Sequence, residues 1–168
     1  HSFPTRRSSD LIRGGEKPLP SAPVNQAAGV PAESDGELAP DHAAAKAVDG
    51  SLERTRWAAK TTPASLTLSP ARPFVFDRVS IHEYADMVAL GDGFSQQRTF
   101  RVEAFTIEAL QGGVWTTLHT GREIGAAKIL RFEHKITAEK LRLRITQASA
   151  PASIYQITVA DSDTRSLR

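Results

Sequence analysis

From residue 65 onward the chain is a succession of short apolar–polar alternations broken by turn residues, with almost no stretch that repeats at the helical period. Residues 65–71 place Leu66 and Leu68 on one side and stop at Pro73. Residues 74–84 bring Val79 and Ile81 into phase after a break at Asp77 and Arg78. In 98–110, Phe100, Val102 and Ala104 share one phase, and Phe105, Ile107 and Ala109 the other. A slip of one residue is what a β-bulge produces, so a bulge is expected near Ala104 and Phe105. Gly112-Gly113 signals a hairpin before a strand over 114–120. Further strands are expected over 128–133, over 140–146 with Leu141, Leu143 and Ile145 inward, and over 154–159. Such a pattern predicts an all-β domain, a sandwich or jelly roll.

The beginning of the chain is less regular. Residues 1–11, HSFPTRRSSDL, look like the conceptual translation of a sequencing adapter, which would mean that the true N-terminus is missing. Residues 12–23, with two glycines and three prolines, read as a linker or the end of something upstream. The expected domain is 24–160, with 161–168 as a tail. Residues 24–34 suit an irregular first strand, and PDHAAAKAV at 40–48 has helix formers for one or two turns. No apolar run approaches the ~20 residues of a membrane helix. The formal charge of +2 falls to +1 when two arginines (Arg6, Arg7) and one aspartate (Asp10) of the adapter-like segment are set aside. That is too little to suggest a nucleic-acid partner. The chain has no cysteine, which excludes disulfides, thiol catalysis and thiolate metal sites.

The stretch 43–57, AAAKAVDGSLERTRW, concentrates chemistry. Asp49 offers a carboxylate, Gly50 lets the chain reverse, Thr55 offers a hydroxyl and Trp57 can anchor the loop. Hard cations are held by such oxygen clusters; the competing reading is that Asp49 only caps a turn. This stretch resembles the N-terminal signature of the discoidin-like β-sandwiches: coagulation-factor type C domains, family-32 carbohydrate-binding modules and the C-terminal module of bacterial α-L-fucosidases. Later segments resemble the fucosidase module more closely: Ile81-His82-Glu83, Gln97-Arg98, Gly112-Gly113 with Trp115, Gly121 to Gly125, and the basic strand Lys140, Arg142, Arg144. Two features depart from that pattern. The loop 85–96, ADMVALGDGFSQ, is longer than a short glycine turn, and Gln156 stands where the family often has a Glu that completes a cation site.

The resemblance implies a galactose-binding-domain-like β-sandwich and two candidate sites. The first is a structural Ca²⁺ held by Asp49 and Thr55, with backbone oxygens of Lys46, Leu52 or Glu53, and Thr55, and with Gln156 as a neutral, weaker substitute for the Glu. The second is a sugar-binding surface at the loop end of the sandwich. Sugars are recognised by aromatic faces and planar polar groups, and Lys60, His82, Tyr84, Phe94, Gln97 and Arg98 fall at strand ends or in loops near that region. Where galactose-binding relatives carry His, Arg and Asn, this chain has Lys60, Glu83 or Tyr84, and Gln97. Competing structural readings are an ion pair between Glu83 and Arg98, and Phe94 as a loop anchor. Trp57 and Trp115 are expected in the core, and Lys140, Arg142 and Arg144 on an outward face that is solvated or contacts an acidic glycan or partner domain.

Enzymatic motifs are missing. His42, His82, His119 and His134 lack metal-ligand spacing, and no nucleophile elbow or phosphate-binding glycine loop occurs. Glycoside hydrolysis needs a carboxylate pair across a cleft, which the fucosidases keep in a separate upstream barrel. The expected function is a non-catalytic accessory module of a periplasmic or secreted glycoside hydrolase, an α-L-fucosidase, with a fucose- or galactose-containing glycan or the parent catalytic domain as partner. The alternatives are an independent family-32-like module of another enzyme and a discoidin-like adhesion domain.

Overall fold

The computed structural model describes residues 22–164. The adapter-like residues 1–11, all of the linker except its last two positions, and the last four residues of the tail lie outside them. One antiparallel sheet runs in the order β1 (Ala32–Ser34), β3 (Ala64–Leu68), β10 (Lys140–Ala148), β7 (Val102–Gln111), β8 (Val114–Gly121). The facing sheet runs β2 (Trp57–Ala58), β11 (Ser153–Ala160), β4 (Phe74–Glu83), β9 (Lys128–Ala138). Between them lies one apolar core. The all-β sandwich expected from the alternation is the fold observed.

Period-2 patterning builds the five-stranded sheet. Leu143 sits opposite Leu66 on one side and Ile107 on the other, and Leu141 lies between Leu68 and Ala109. All of these are buried. Each large aliphatic side chain removed from water contributes about 1.5–3 kcal/mol. On the other sheet Phe74 and Phe76 meet edge to face at 6.4 Å, and Phe76 meets Phe132 at 6.0 Å. Between Phe76 and Val79 the phase slips, as the sequence predicts. Asp77 lies at that slip, where its carboxylate accepts the Ser162 N–H at 2.9 Å and ties down the chain after β11.

The bulge expected at Ala104 and Phe105 is divided between two strands. Thr146 of β10 is skipped between the Phe105 and Ala104 pairs, and Glu103 of β7 is skipped before Val102. Gly112 and Gly113 turn the β7–β8 hairpin with φ of 57° and 79°. Consecutive positive φ values define the tight turn whose twist matches paired strands. At the start, Asn25 accepts the N–H groups of Ala27 and Val159 at 3.0 and 3.1 Å, so the irregular entry segment is pinned to β11 and only Ala32–Ser34 pairs as a strand. Residues 40–48 form two short 3-10 turns, Pro40–His42 and Ala44–Ala47.

Three expectations need correction. The presumed loop 85–96 belongs instead to a hairpin, β5 (Asp86–Ala89) and β6 (Gln96–Thr99), that pairs with neither sandwich sheet. Its turn is locked by Asp92, whose Oδ1 accepts the Phe94 and Ser95 N–H groups at 3.0 and 2.8 Å, with Gly93 at φ 78°. These bonds and the Ser95 hydroxyl hold the Asp92 carboxyl down at about 2. As a result 98–110 is not one strand: the chain leaves the hairpin at Thr99 and enters the sandwich at Val102. Trp57 is fully buried, but Trp115 is only half-buried. Trp115 lies on the outward side of the five-stranded sheet beneath the guanidinium of Arg142, 3.9 Å from its ring centroid. Arg142 also donates to Glu108 at 2.8 Å, so the basic strand is not a row of free cations.

Candidate functional site

The site begins with one extra residue. Along the β4–β11 ladder Ile154 opposes Glu83 and Gln156 opposes His82, leaving Tyr155 unopposed. A bulge re-aims the side chain that it carries, and here the Tyr155 ring meets Tyr84 at 5.5 Å with the planes at 66°. Around this pair lies a trough of two hollows whose linings share Glu53, Tyr84 and Tyr155. One, of about 370 Å³, is walled by Leu52, Ala85, Met87, Phe100 and Ala126, with His82 and Arg98 as polar members. The other, of about 560 Å³, is lined by the 3-10 turn residues Pro40, Asp41 and His42 and by Lys46, Arg54, Thr55 and Arg56. A separate depression of about 600 Å³, lined by residues such as Glu103, Arg122 and Gln147, has no aromatic side chain to meet a sugar ring.

Charged groups fix the trough. The Arg56 guanidinium lies 3.6 Å from the Tyr84 ring centroid and covers one face of that ring. Arg101 grips Asp86 with Nε at 2.6 Å and Nη2 at 2.7 Å, and gives Nη1 to the Pro151 carbonyl at 2.7 Å. These contacts fasten the foot of the β5–β6 hairpin to the loop before β11. The guanidinium's hydrogen bonds hold the Asp86 carboxyl below its ordinary value. Beneath the trough, buried Glu83 accepts N–H groups from Val102 at 2.7 Å, Arg101 at 3.0 Å and Gly125 at 3.0 Å. Burial outweighs those bonds and raises its carboxyl above the usual glutamate value. Glu83 therefore joins loops through the backbone; among the described residues it makes no ion pair with Arg98.

Of the six residues expected to meet a sugar, His82, Tyr84 and Arg98 line the trough. His82 is steadied by its Nδ1 at 3.2 Å from the Ala126 carbonyl. The other three lie elsewhere. Lys60 is exposed and pairs its N–H with Gly36 at 3.3 Å, away from the trough. Phe94 stands at the hairpin tip, 96% exposed, and anchors nothing there. Gln97 pairs with Val88, one step from the Met87–Arg98 pair that lines the trough. Successive strand residues point to opposite faces, so Gln97 is turned away. Tyr155, Met87, Phe100 and Arg56 also line the trough and were not among the expected residues. For Tyr155 a signal existed: the apolar Ile154 and Ile157, both buried, stand three residues apart, out of phase for one face of a regular strand.

The oxygen cluster assembles in part. Thr55 Oγ1 donates to Asp49 Oδ2, Asp49 Oδ1 accepts the Ser51 N–H at 3.0 Å, and buried Gln156 reaches across to accept the Gly50 N–H at 3.3 Å through Oε1. Lys46 and Glu53 flank this loop. All donors are hard oxygens, which suits calcium in type. Among the described residues, however, no three His, Asp or Glu side chains converge; Asp49 brings the single charge, and the rest of the set is neutral.

No protein-family profile matches the chain, and no curated protein matches it. Solved structures do. The structure of SpGH29 superposes with a TM-score of 0.68 at 26% identity, covering 82% of this chain and 28% of that one. A putative α-L-fucosidase from Bacteroides thetaiotaomicron gives 0.66 at 20% identity, over 82% of this chain and 28% of that one. The family-32 carbohydrate-binding module of NanJ from C. perfringens, solved with galactose, gives 0.66 at 22% identity, over 82% of this chain and 97% of the module. The fold is thus that of the galactose-binding-like β-sandwiches. This chain is similar to nearly the whole of one such module and to little more than a quarter of the longer chains. Among the described residues no helix is long and apolar enough to cross a membrane.

Proposed function

We propose that the chain is a non-catalytic carbohydrate-binding accessory module and that glycan enters the trough at Tyr84 and Tyr155. The observation that carries this reading is the bulge at Tyr155, which brings two tyrosines to an open depression at one end of a sandwich shared with carbohydrate-binding modules. Arg56 already covers one Tyr84 face, so Tyr155 is the ring left for a sugar, with His82 and Arg98 as hydroxyl partners. Affinity is expected to be weak, about 0.1–1 mM, because one stacking residue and a few hydrogen bonds outweigh the entropy of association only modestly.

The finer reading is that the module serves a periplasmic or secreted glycoside hydrolase, an α-L-fucosidase. The likeness to SpGH29 and the order of short motifs from Ile81 to Arg144 support it. In the same reading Asp49, Thr55 and Gln156 hold one structural Ca²⁺. Affinity electrophoresis of the full chain through gels containing fucosylated or galactose-rich polysaccharide tests the proposal. Retardation that Tyr155→Ala abolishes is expected; migration unaffected by every polysaccharide would contradict it. A (β/α) barrel encoded ahead of residue 12 is expected for the fucosidase parent.

A further inference from the structure

Cations crowd the rim of the trough with few anions to answer them. Lys46, Arg54, Arg56 and Arg98 line its hollows, and among the described residues none forms an ion pair with a carboxylate. The nearby acids are mostly engaged. Asp86 is gripped through both oxygens by Arg101, though Arg56 also lies within its field. Both Glu83 oxygens are taken by backbone N–H groups. Asp41 contacts His42 at 3.0 Å. Glu53 remains. Four cations stand against Glu53, Asp41 and the deeper Glu83, and among the described residues no carboxylate pairs directly with any of the four.

A neutral sugar has no charge to offer these unpaired cations. Guanidinium groups offer forked, parallel donors that fit the paired oxygens of a carboxylate or sulfate. Arg98 presents its fork beside Met87 and Phe100, and Arg54 and Lys46 lie across the Tyr84–Tyr155 ridge. We propose that the trough takes an acidic glycan, one whose sugar bears a uronate carboxylate or a sulfate ester. The apolar wall and Tyr155 would hold the ring, and the arginines would hold the anionic group. This rests on the trough being the glycan site.

Calorimetric titration of the full chain with galactose, galacturonic acid and galactose 6-sulfate separates the two claims. At low salt the acidic sugars, or whichever of them supplies the fitting oxyanion, should bind about 3–5-fold tighter than galactose. That advantage should shrink below about 2-fold at about 0.5 M NaCl, where charges are screened over a few ångströms. Arg98→Gln or Arg54→Gln, with melting temperatures checked, should bring the ratio toward one. Equal binding of all three sugars would overturn the acidic preference and leave the carbohydrate reading standing. An acidic preference that survives both substitutions would overturn its placement in the trough. No binding of any sugar would overturn both.

Discussion

Gly121 closes β8 where an added Cβ would lie 2.7 Å from the Phe105 ring and 2.9 Å from His119. Phe105 is fully buried and cannot yield cheaply. Gly121→Ala should therefore destabilise the sandwich by about 1–3 kcal/mol, the range for overpacking a close-fitting core; an unchanged urea midpoint would show that the ring has room. Glu83 makes a prediction with a sign. Burial raises its carboxyl, so its contribution to stability is full below the ordinary glutamate range and is lost as pH rises through the raised value. Asp86 and Asp77 run the other way: their carboxyls are lowered, and the stability they contribute is lost as pH falls below the ordinary aspartate range. Glu83→Gln removes one titration and puts an amide donor among backbone N–H groups, at a cost of about 1–3 kcal/mol. Urea midpoints across pH about 4 to 8 should show the gap between wild type and Glu83→Gln narrowing as pH rises.

Strands whose inner face repeats every second residue were legible, because burial on one face writes itself into the order of side chains: Leu66 with Leu68, and Leu141 with Leu143 and Ile145. The slip in β4 was legible for the same reason. The β5–β6 hairpin was not. It stands outside the core, so its alternation has no buried face to reveal it, and Met87, Val88, Leu90 and Phe94 stay exposed. The lining of the trough was legible only in part: His82, Tyr84 and Arg98 sit at strand ends where it opens, but the sequence does not say which hairpin face Gln97 occupies. The 49–55 loop and β11 meet through the Gly50–Gln156 bond, and a cation held by Asp49, Thr55 and Gln156 would bind the native state alone. Calcium should then raise the melting temperature by RT ln(1 + [L]/Kd) converted at about 2–4 °C per kcal/mol. Asp49→Ala should abolish that response and Gln156→Glu should strengthen it by adding charge. A melting curve indifferent to calcium and to chelator would leave Asp49 as a turn residue.

The described residues form a sandwich that carries a chemically mixed trough, with the hairpin foot, the 3-10 turns and the bulged end of β11 as its walls. The sheets hold the core, while the irregular features (the Tyr155 bulge, the clamped hairpin, the cation-bearing loop) shape the trough where the proposed recognition would occur. That division puts the central claim on a small set of residues. Residue-resolved chemical-shift mapping of the full chain, titrated with galactose, fucose and an acidic sugar to tens of millimolar, tests it most directly. At an expected Kd of about 0.1–1 mM such a titration saturates. The account predicts shifts concentrated on His82, Tyr84, Arg98 and Tyr155, with Lys60, Phe94 and Trp115 undisturbed. Shifts gathered instead around Trp115 and Arg142, or no shifts anywhere at those concentrations, would contradict it.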